Sequence, residues 1–196
     1  MANAKYDKKY LRYDISFVRD AVVGGRLYSA QIAEEVPNGV IGVMGATLAA
    51  KPEVKAFVLP DASAIKDAKE LYIVMKPEIV TDETFKDSGK IGNFRNEANK
   101  PFPIIRVQER DRVTLSQDYF TKTAESGVIK VGDAFVVDAK GLLVHKAAPA
   151  VATEKYKFVV TEIVKSHIAN YLAYDESGSH LAPVAYNLIT VEMMAV

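Results

Sequence analysis

Apolar and polar residues alternate with a period of two through much of this chain. In Lys157–Val164, Phe158, Val160 and Glu162 fall on one side and Val159, Thr161 and Ile163 on the other. In Tyr186–Met193, Asn187, Ile189, Val191 and Met193 oppose Tyr186, Leu188, Thr190 and Glu192. Successive side chains of a strand point to opposite faces, so both segments read as strands with one face buried. Shorter apolar runs follow the same logic. Leu27–Ile32, Phe57–Pro60, Leu71–Met75, Pro103–Gln108, Arg112–Leu115, Val131–Val137 and Leu142–Val144 are bounded by glycine, proline or charged turns. Ile15, Phe17 and Val18 begin a further strand before Gly24-Gly25.

The turn chemistry supports this reading. Pro37-Asn38-Gly39 supplies positions that tolerate positive φ, and Asp138-Ala139-Lys140-Gly141 joins two strands as a hairpin. Glycines 39, 42 and 45 stand three apart in GVIGVMGATLAA, which is not the GxGxxG of a dinucleotide site, and no capped amphipathic helix follows. A strand or loop needing close backbone approach is the better account. Residues 61–70 (DASAIKDAKE) form the one good helix pattern, two to three turns capped by Asp61. Thr81–Asn99 reads as an extended connection anchored by Phe85, Ile91 and Phe94, and 174–180 as a loop. The expected fold is mainly β, a small barrel or sandwich with one or two short helices and an extended N-terminal arm. It divides into an arm (1–14), a β-rich lobe (15–100) and a second barrel or sandwich lobe (101–196).

Composition narrows the function. The 196 residues are enough to bury a proper core, and 49% hydrophobic with 26% charged residues is ordinary for a globular chain. Lys+Arg and Asp+Glu both number 25, so there is no cationic surplus for phosphate neutralisation, and nucleic acid is not an expected partner. Zero formal charge also gives little self-repulsion between copies. With no cysteine, disulfides, thiolate nucleophiles and Cys-based zinc sites are excluded. The first 14 residues are polar and tyrosine-rich, unlike a signal peptide, and Val40–Ala50 is too short to span a bilayer. A chain made in a cytoplasm, with no membrane partner, is expected.

No catalytic set emerges. His145, His167 and His180 are far apart in sequence and offer no metal spacing. Ser177, Ser179, His180 and Asp175 lie close together but lack a nucleophile elbow, and a serine-glycine loop tip explains them. Asp82-Glu83 and Asp175-Glu176 lack the alternating ligands of a calcium loop. No catalytic residue, cofactor or metal is therefore assigned, and the chain is not expected to be an enzyme. The arm differs. Lys5, Lys8, Lys9 and Arg12 interleave with Tyr6, Tyr10 and Tyr13, giving large aromatic contact area at low rotamer cost. Such a segment buries too little apolar area to order itself. It is expected to gain its shape from the globule or from a neighbouring molecule, and these seven residues are the candidate partner-binding set.

The segment Asn96–Val144, with its opening NEANKPFPIIRV, the DRVTLS strand and VGDAFVVDAKGLLV, resembles the head decoration, cement or auxiliary capsid proteins of tailed bacteriophages. The paired strands FVVTEIV and AYNLITVEMM are similar in style, and the likeness extends more loosely to residues 20–75. It implies a non-enzymatic virion protein on the phage head that binds the major capsid protein and stabilises the assembled shell. It also implies a homo-oligomer, frequently a trimer. The first 14 residues are not dictated by that family's pattern. Two other readings stay open: a head–tail connector, tail-tube or head-fibre subunit, and a carbohydrate-binding module or hydrolase on a β-sandwich. For the last, Tyr171 and Tyr174 are the available aromatic platform.

Overall fold

The computed structural model describes residues 13–14, 25–59, 65, 68–76, 95–121, 128–146, 154–174 and 181–195, with backbone alone at 13–14, 166–174 and 181–186. The fold is mainly β. Its strands are β1 (Tyr13–Asp14), β2 (Leu27–Gln31), β3 (Ile41–Leu48), β4 (Lys51–Val58), β5 (Leu71–Val74) and β6 (Phe102–Val107). They continue as β7 (Arg112–Ser116), β8 (Phe120–Thr121), β9 (Ala134–Val137), β10 (Leu143–His145), β11 (Tyr156–Tyr174) and β12 (Leu181–Ala195), with a 3-10 turn at Gln117–Tyr119. Strands β2-β4-β3-β5-β6 close into a barrel, and the rest form a seven-stranded sheet in the order β1-β7-β12-β11-β9-β10-β8. The β2–β4 and β10–β8 pairs are parallel and the other pairs antiparallel.

The barrel ends at β6, which lies beyond residue 100 and pairs with β2 and β5, so the crossing between sheets falls at 108–111. One buried cluster runs through both sheets. It joins Ala30, Ile41, Phe57, Ile73 and Ile105 of the barrel to Val113, Leu115, Phe135, Phe158, Ile189 and Val191. Edge-to-face ring pairs, Phe57 with Phe102 at 5.8 Å and Phe120 with Phe135 at 5.0 Å, fill each half.

Polar contacts tie the halves where they meet. Arg26 and Asp111, each 2% exposed, form a bidentate ion pair, and Arg26 also donates from Nε to the Arg106 carbonyl at 3.0 Å. The amide of Gln108 donates to Asp111 Oδ2 at 2.6 Å. The β9–β10 turn presses on the start of β3, where Ile41 N–H donates to the Gly141 carbonyl at 2.9 Å. Asp138 Oδ1 accepts from the amides of Lys140 (2.8 Å) and Leu142 (2.9 Å), which shapes that turn. Asn38 is buried and clasps the Lys76 backbone in both directions, at 2.8 and 3.0 Å, while the Tyr119 hydroxyl donates to the Asn38 carbonyl.

Several sequence expectations change. The 131–137 strand begins only at Ala134, because Val131 and Gly132 form a turn whose Gly132 amide donates to the Val160 carbonyl at 2.8 Å. The Phe57–Pro60 strand starts earlier, at Lys51, and accommodates Pro52 near its beginning. Of the 61–70 helix, Ile65 is helical, but residues 68–70 are not; the other positions lie outside the described residues. The strand at Ile15–Val18, the anchors Phe85, Ile91 and Phe94, and the 175–180 loop also lie outside them. Among the described residues no helix is long and apolar enough to cross a membrane.

Candidate interaction surface

Of the seven arm residues, Lys5, Tyr6, Lys8, Lys9, Tyr10 and Arg12 lie outside the described residues. Tyr13 is described by its backbone. It pairs with Leu115 while Asp14 pairs with Thr114, so the arm joins the body as a short strand on the outer edge of β7.

The face beside that edge is polar, for a local reason. In β7 the residues alternate, so Val113 and Leu115 are buried while Arg112 and Thr114 stand on the opposite side. In β12 Ile189, Val191 and Met193 enter the core as expected, leaving Thr190 and Glu192 beside Thr114 and Arg112 in register. A bulge in β11 completes the face. Val160 pairs with Val191 and Glu162 with Thr190, so two steps on β11 oppose one on β12 and Thr161 is the extra residue. The strict alternation expected for Lys157–Val164 is therefore corrected. Past the bulge Ile163 packs on the core together with Phe158 and Val160, and Glu162 turns outward.

Arg112 Nε donates to Glu192 Oε2 at 2.8 Å, the Thr114 and Thr190 hydroxyls share a hydrogen bond of 2.9 Å, and Thr161 Oγ1 donates to the Thr190 carbonyl at 3.2 Å. Arg112, Thr161, Glu162 and Thr190 line a shallow hollow of about 170 Å³. The hydroxyls are turned to each other and to a carbonyl, so none is held by a base that could draw off its proton. The face offers paired charges and hydroxyls to a surface laid across it.

A second polar group sits on the barrel. Tyr72 donates from its hydroxyl to Glu70, and Arg106 Nη1 donates to Glu70 Oε1 at 2.8 Å. Tyr28 meets the Tyr72 ring edge-on at 5.6 Å. Leu27, Tyr28, Ser29, Pro101, Phe102 and Pro103 line an open groove alongside. Burial, helped by the Glu70 carboxylate, pushes the Tyr72 phenol far above the usual tyrosine range. The Tyr72 hydrogen bond, followed by Arg106, holds Glu70 below its ordinary value.

This makes stability fall in alkali. The unfolded chain releases the Tyr72 proton near pH 10 while the folded chain keeps it, so the contribution is whole below about pH 10 and drains away above it. The melting temperature should therefore drop between about pH 10 and 11.5, less so in Tyr72→Phe. Parallel slopes in the two proteins would contradict this.

The other residues weighed for chemistry are separated. His145 packs edge-on against Phe135 at 5.5 Å, a core contact. His167, Tyr171 and Tyr174 lie in β11, described by backbone alone. Asp82, Glu83, Asp175, Glu176, Ser177, Ser179 and His180 lie outside the described residues. Among the described residues, no three His, Asp or Glu side chains group to hold a metal. Comparison with family models, with curated proteins and with solved structures gives no match to this chain.

Proposed function

We propose that this protein is a structural binding protein of a tailed-phage virion, which attaches to the assembled head and stabilises it by bridging neighbouring shell subunits. The observation that carries the reading is the way the arm joins the body. Tyr13 and Asp14 pair with β7, so the tyrosine- and lysine-rich segment immediately precedes an edge strand of a sheet whose adjoining face holds Arg112, Glu192 and three threonines. A segment so poor in aliphatic residues gains little from its own globule and much from a second protein's surface. The sequence likeness to head decoration proteins supports the choice of partner, the major capsid protein.

The mechanism is mass action. A ligand that binds only the assembled lattice stabilises it by an amount set by its concentration relative to its dissociation constant. Many copies on one shell then add through avidity. Deleting residues 2–12 keeps β1 and should leave the melting temperature within about 2 °C of the full chain, a change within the range of surface substitutions. Attachment to purified heads lacking the protein, read by co-sedimentation, should weaken at least tenfold. Wild-type occupancy by the truncated chain would refute the role of the arm. Failure of the full chain to co-migrate with heads would refute the reading itself.

A further inference from the structure

We infer that Asn38-Gly39 is a self-modification site, held inert by the closed fold and converted to aspartate or isoaspartate once the fold opens. Of the chain's seven asparagines, Asn38 alone is followed by glycine. That order favours attack of a backbone nitrogen on the side-chain amide before it, because glycine puts no Cβ in the way and lets the chain bend. The Gly39 nitrogen gives up its proton and bonds to Asn38 Cγ; the Cγ–Nδ2 bond breaks, and Nδ2 leaves with that proton as ammonia. Water, the one co-reactant, then opens the cyclic imide at either carbonyl. One opening gives aspartate. The other routes the main chain through the side chain and gives isoaspartate.

The folded chain holds the reacting groups apart from this path. Pro37, Asn38 and Gly39 are all buried, which keeps water and base from the peptide. The Gly39 N–H donates to the Val74 carbonyl at 2.8 Å, so its proton is retained. Three hydrogen bonds fix the plane of the Asn38 amide. Nδ2 donates to the Lys76 carbonyl at 2.8 Å, and Oδ1 accepts from the Lys76 N–H at 3.0 Å and from Asn96 Nδ2 at 3.1 Å. A tetrahedral Cγ would tilt both atoms out of that plane and break these bonds. The Tyr119 hydroxyl donates to the Asn38 carbonyl and would lie 2.8 Å from a Cβ at position 39, so the ring closes over the peptide.

This clasp draws on both halves of the molecule. Val74 ends β5 of the barrel and Lys76 follows it, Asn96 bridges to Val36, and Tyr119 comes from the 3-10 turn after β7. Freeing the peptide requires these parts to separate, and the chain then reacts in proportion to the time it spends open. The products do not fit back. Aspartate places an oxygen without a proton where Nδ2 donated to the Lys76 carbonyl. Isoaspartate lengthens the main chain by one carbon ahead of the Gly39 nitrogen, which shifts that nitrogen from Val74. Opening thereby becomes irreversible for the chains that react.

The inference stands independently of the head-binding reading, and mass spectrometry of the proteolytic peptide containing residue 38 tests it on the full chain. Samples are held at neutral pH, either without denaturant or in urea above the unfolding midpoint. Conversion in urea should be faster by about a hundredfold or more, a ratio set by the rarity of the open state. Gly39→Ala, compared with the original chain in urea, where folding is not at issue, should convert about tenfold more slowly. Asn38→Asp makes one product directly, and its folded-to-unfolded ratio at a fixed urea concentration should fall about tenfold or more. Failure of that variant to fold is the same result at its limit. Equal conversion of the folded and the urea-held chain, an unchanged rate in Gly39→Ala, or an Asn38→Asp chain as stable as the original would each overturn the inference.

Discussion

Asp111→Ala is expected to lower the unfolding free energy by about 3–5 kcal/mol, because it strands a buried guanidinium. Arg26 is 2% exposed and places Nη1 3.3 Å from Asp111 Oδ1, with Nη2 on Oδ2. Removing the carboxylate takes the opposite charge from the buried Arg26 guanidinium, and it also removes the acceptor of the Gln108 amide. The pair stands at the crossing from β6 to β7. There Asp111 is also tied by its backbone to Met193, with N–H···O distances of 2.9 Å from Met193 and 2.8 Å from Arg110 to the Met193 carbonyl. A local fault should therefore loosen both sheets together, giving one cooperative transition at lower denaturant.

The pair need not be net stabilising for this to hold, since desolvating two charges offsets much of their attraction. Arg26→Met combined with Asp111→Leu should accordingly cost less than the two single substitutions added together. The recovery should be partial, because the Arg106 carbonyl and Gln108 amide lose partners in the double variant as well. A coupling of about 2 kcal/mol in the cycle is expected, within the range for contacting residues. Strict additivity in urea unfolding would show that the two side chains act independently.

How far the chain could be read in advance depended on the range of the interaction. Strands with strict alternation, such as Arg112–Leu115 and Ile189–Met193, declared themselves, because each residue's face follows from its neighbour's. The β9–β10 hairpin was legible from Asp138 and Gly141, whose turn is local. The bulge at Thr161 was not. Nothing in VVTEIV marks the extra residue, which is fixed by where Val191 and Thr190 stand across the ladder. A barrel or sandwich was expected, but which strands close it was hidden, since closure depends on β2 meeting both β4 and β6, and neither partner follows it directly in the chain.

The candidate surface was legible in part. The tyrosines and lysines of the arm stand out by composition, but its attachment to β7 pairs residues about a hundred positions apart, which no local pattern reveals. Arg26 follows Gly24-Gly25 and Asp111 lies in the charged run ERDR between two strands, and only the packed fold shows that they are buried together. The length of β11 was not legible either, because its pairing with β12 up to Tyr174 crosses a register shift between His167 and Leu172 that no local pattern marks.

Gly141→Ala is expected to cost about 2–4 kcal/mol, the sum of a left-handed backbone forced on a residue with a Cβ and an overpacked contact. Gly141 has φ +72°, and a methyl there would lie 2.5 Å from the Ile41 carbonyl oxygen and 2.5 Å from Val40 Cγ1. The valine can turn, but the carbonyl belongs to the first residue of β3, whose own N–H is held by the Gly141 carbonyl at 2.9 Å. Relief therefore requires the β9–β10 turn to withdraw from the barrel, losing that hydrogen bond and disturbing Leu142, which is 1% exposed in the shared core. Gly132→Ala separates the two contributions, because Gly132 has φ +91° but nothing within 4 Å of an added Cβ. It should cost only the backbone part, about 1–2 kcal/mol. Denaturant midpoints of the two variants measured side by side give the difference directly. If both fall equally, the turn does not bear on β3 in solution, and the barrel and sheet are joined chiefly through Arg26 and Asp111.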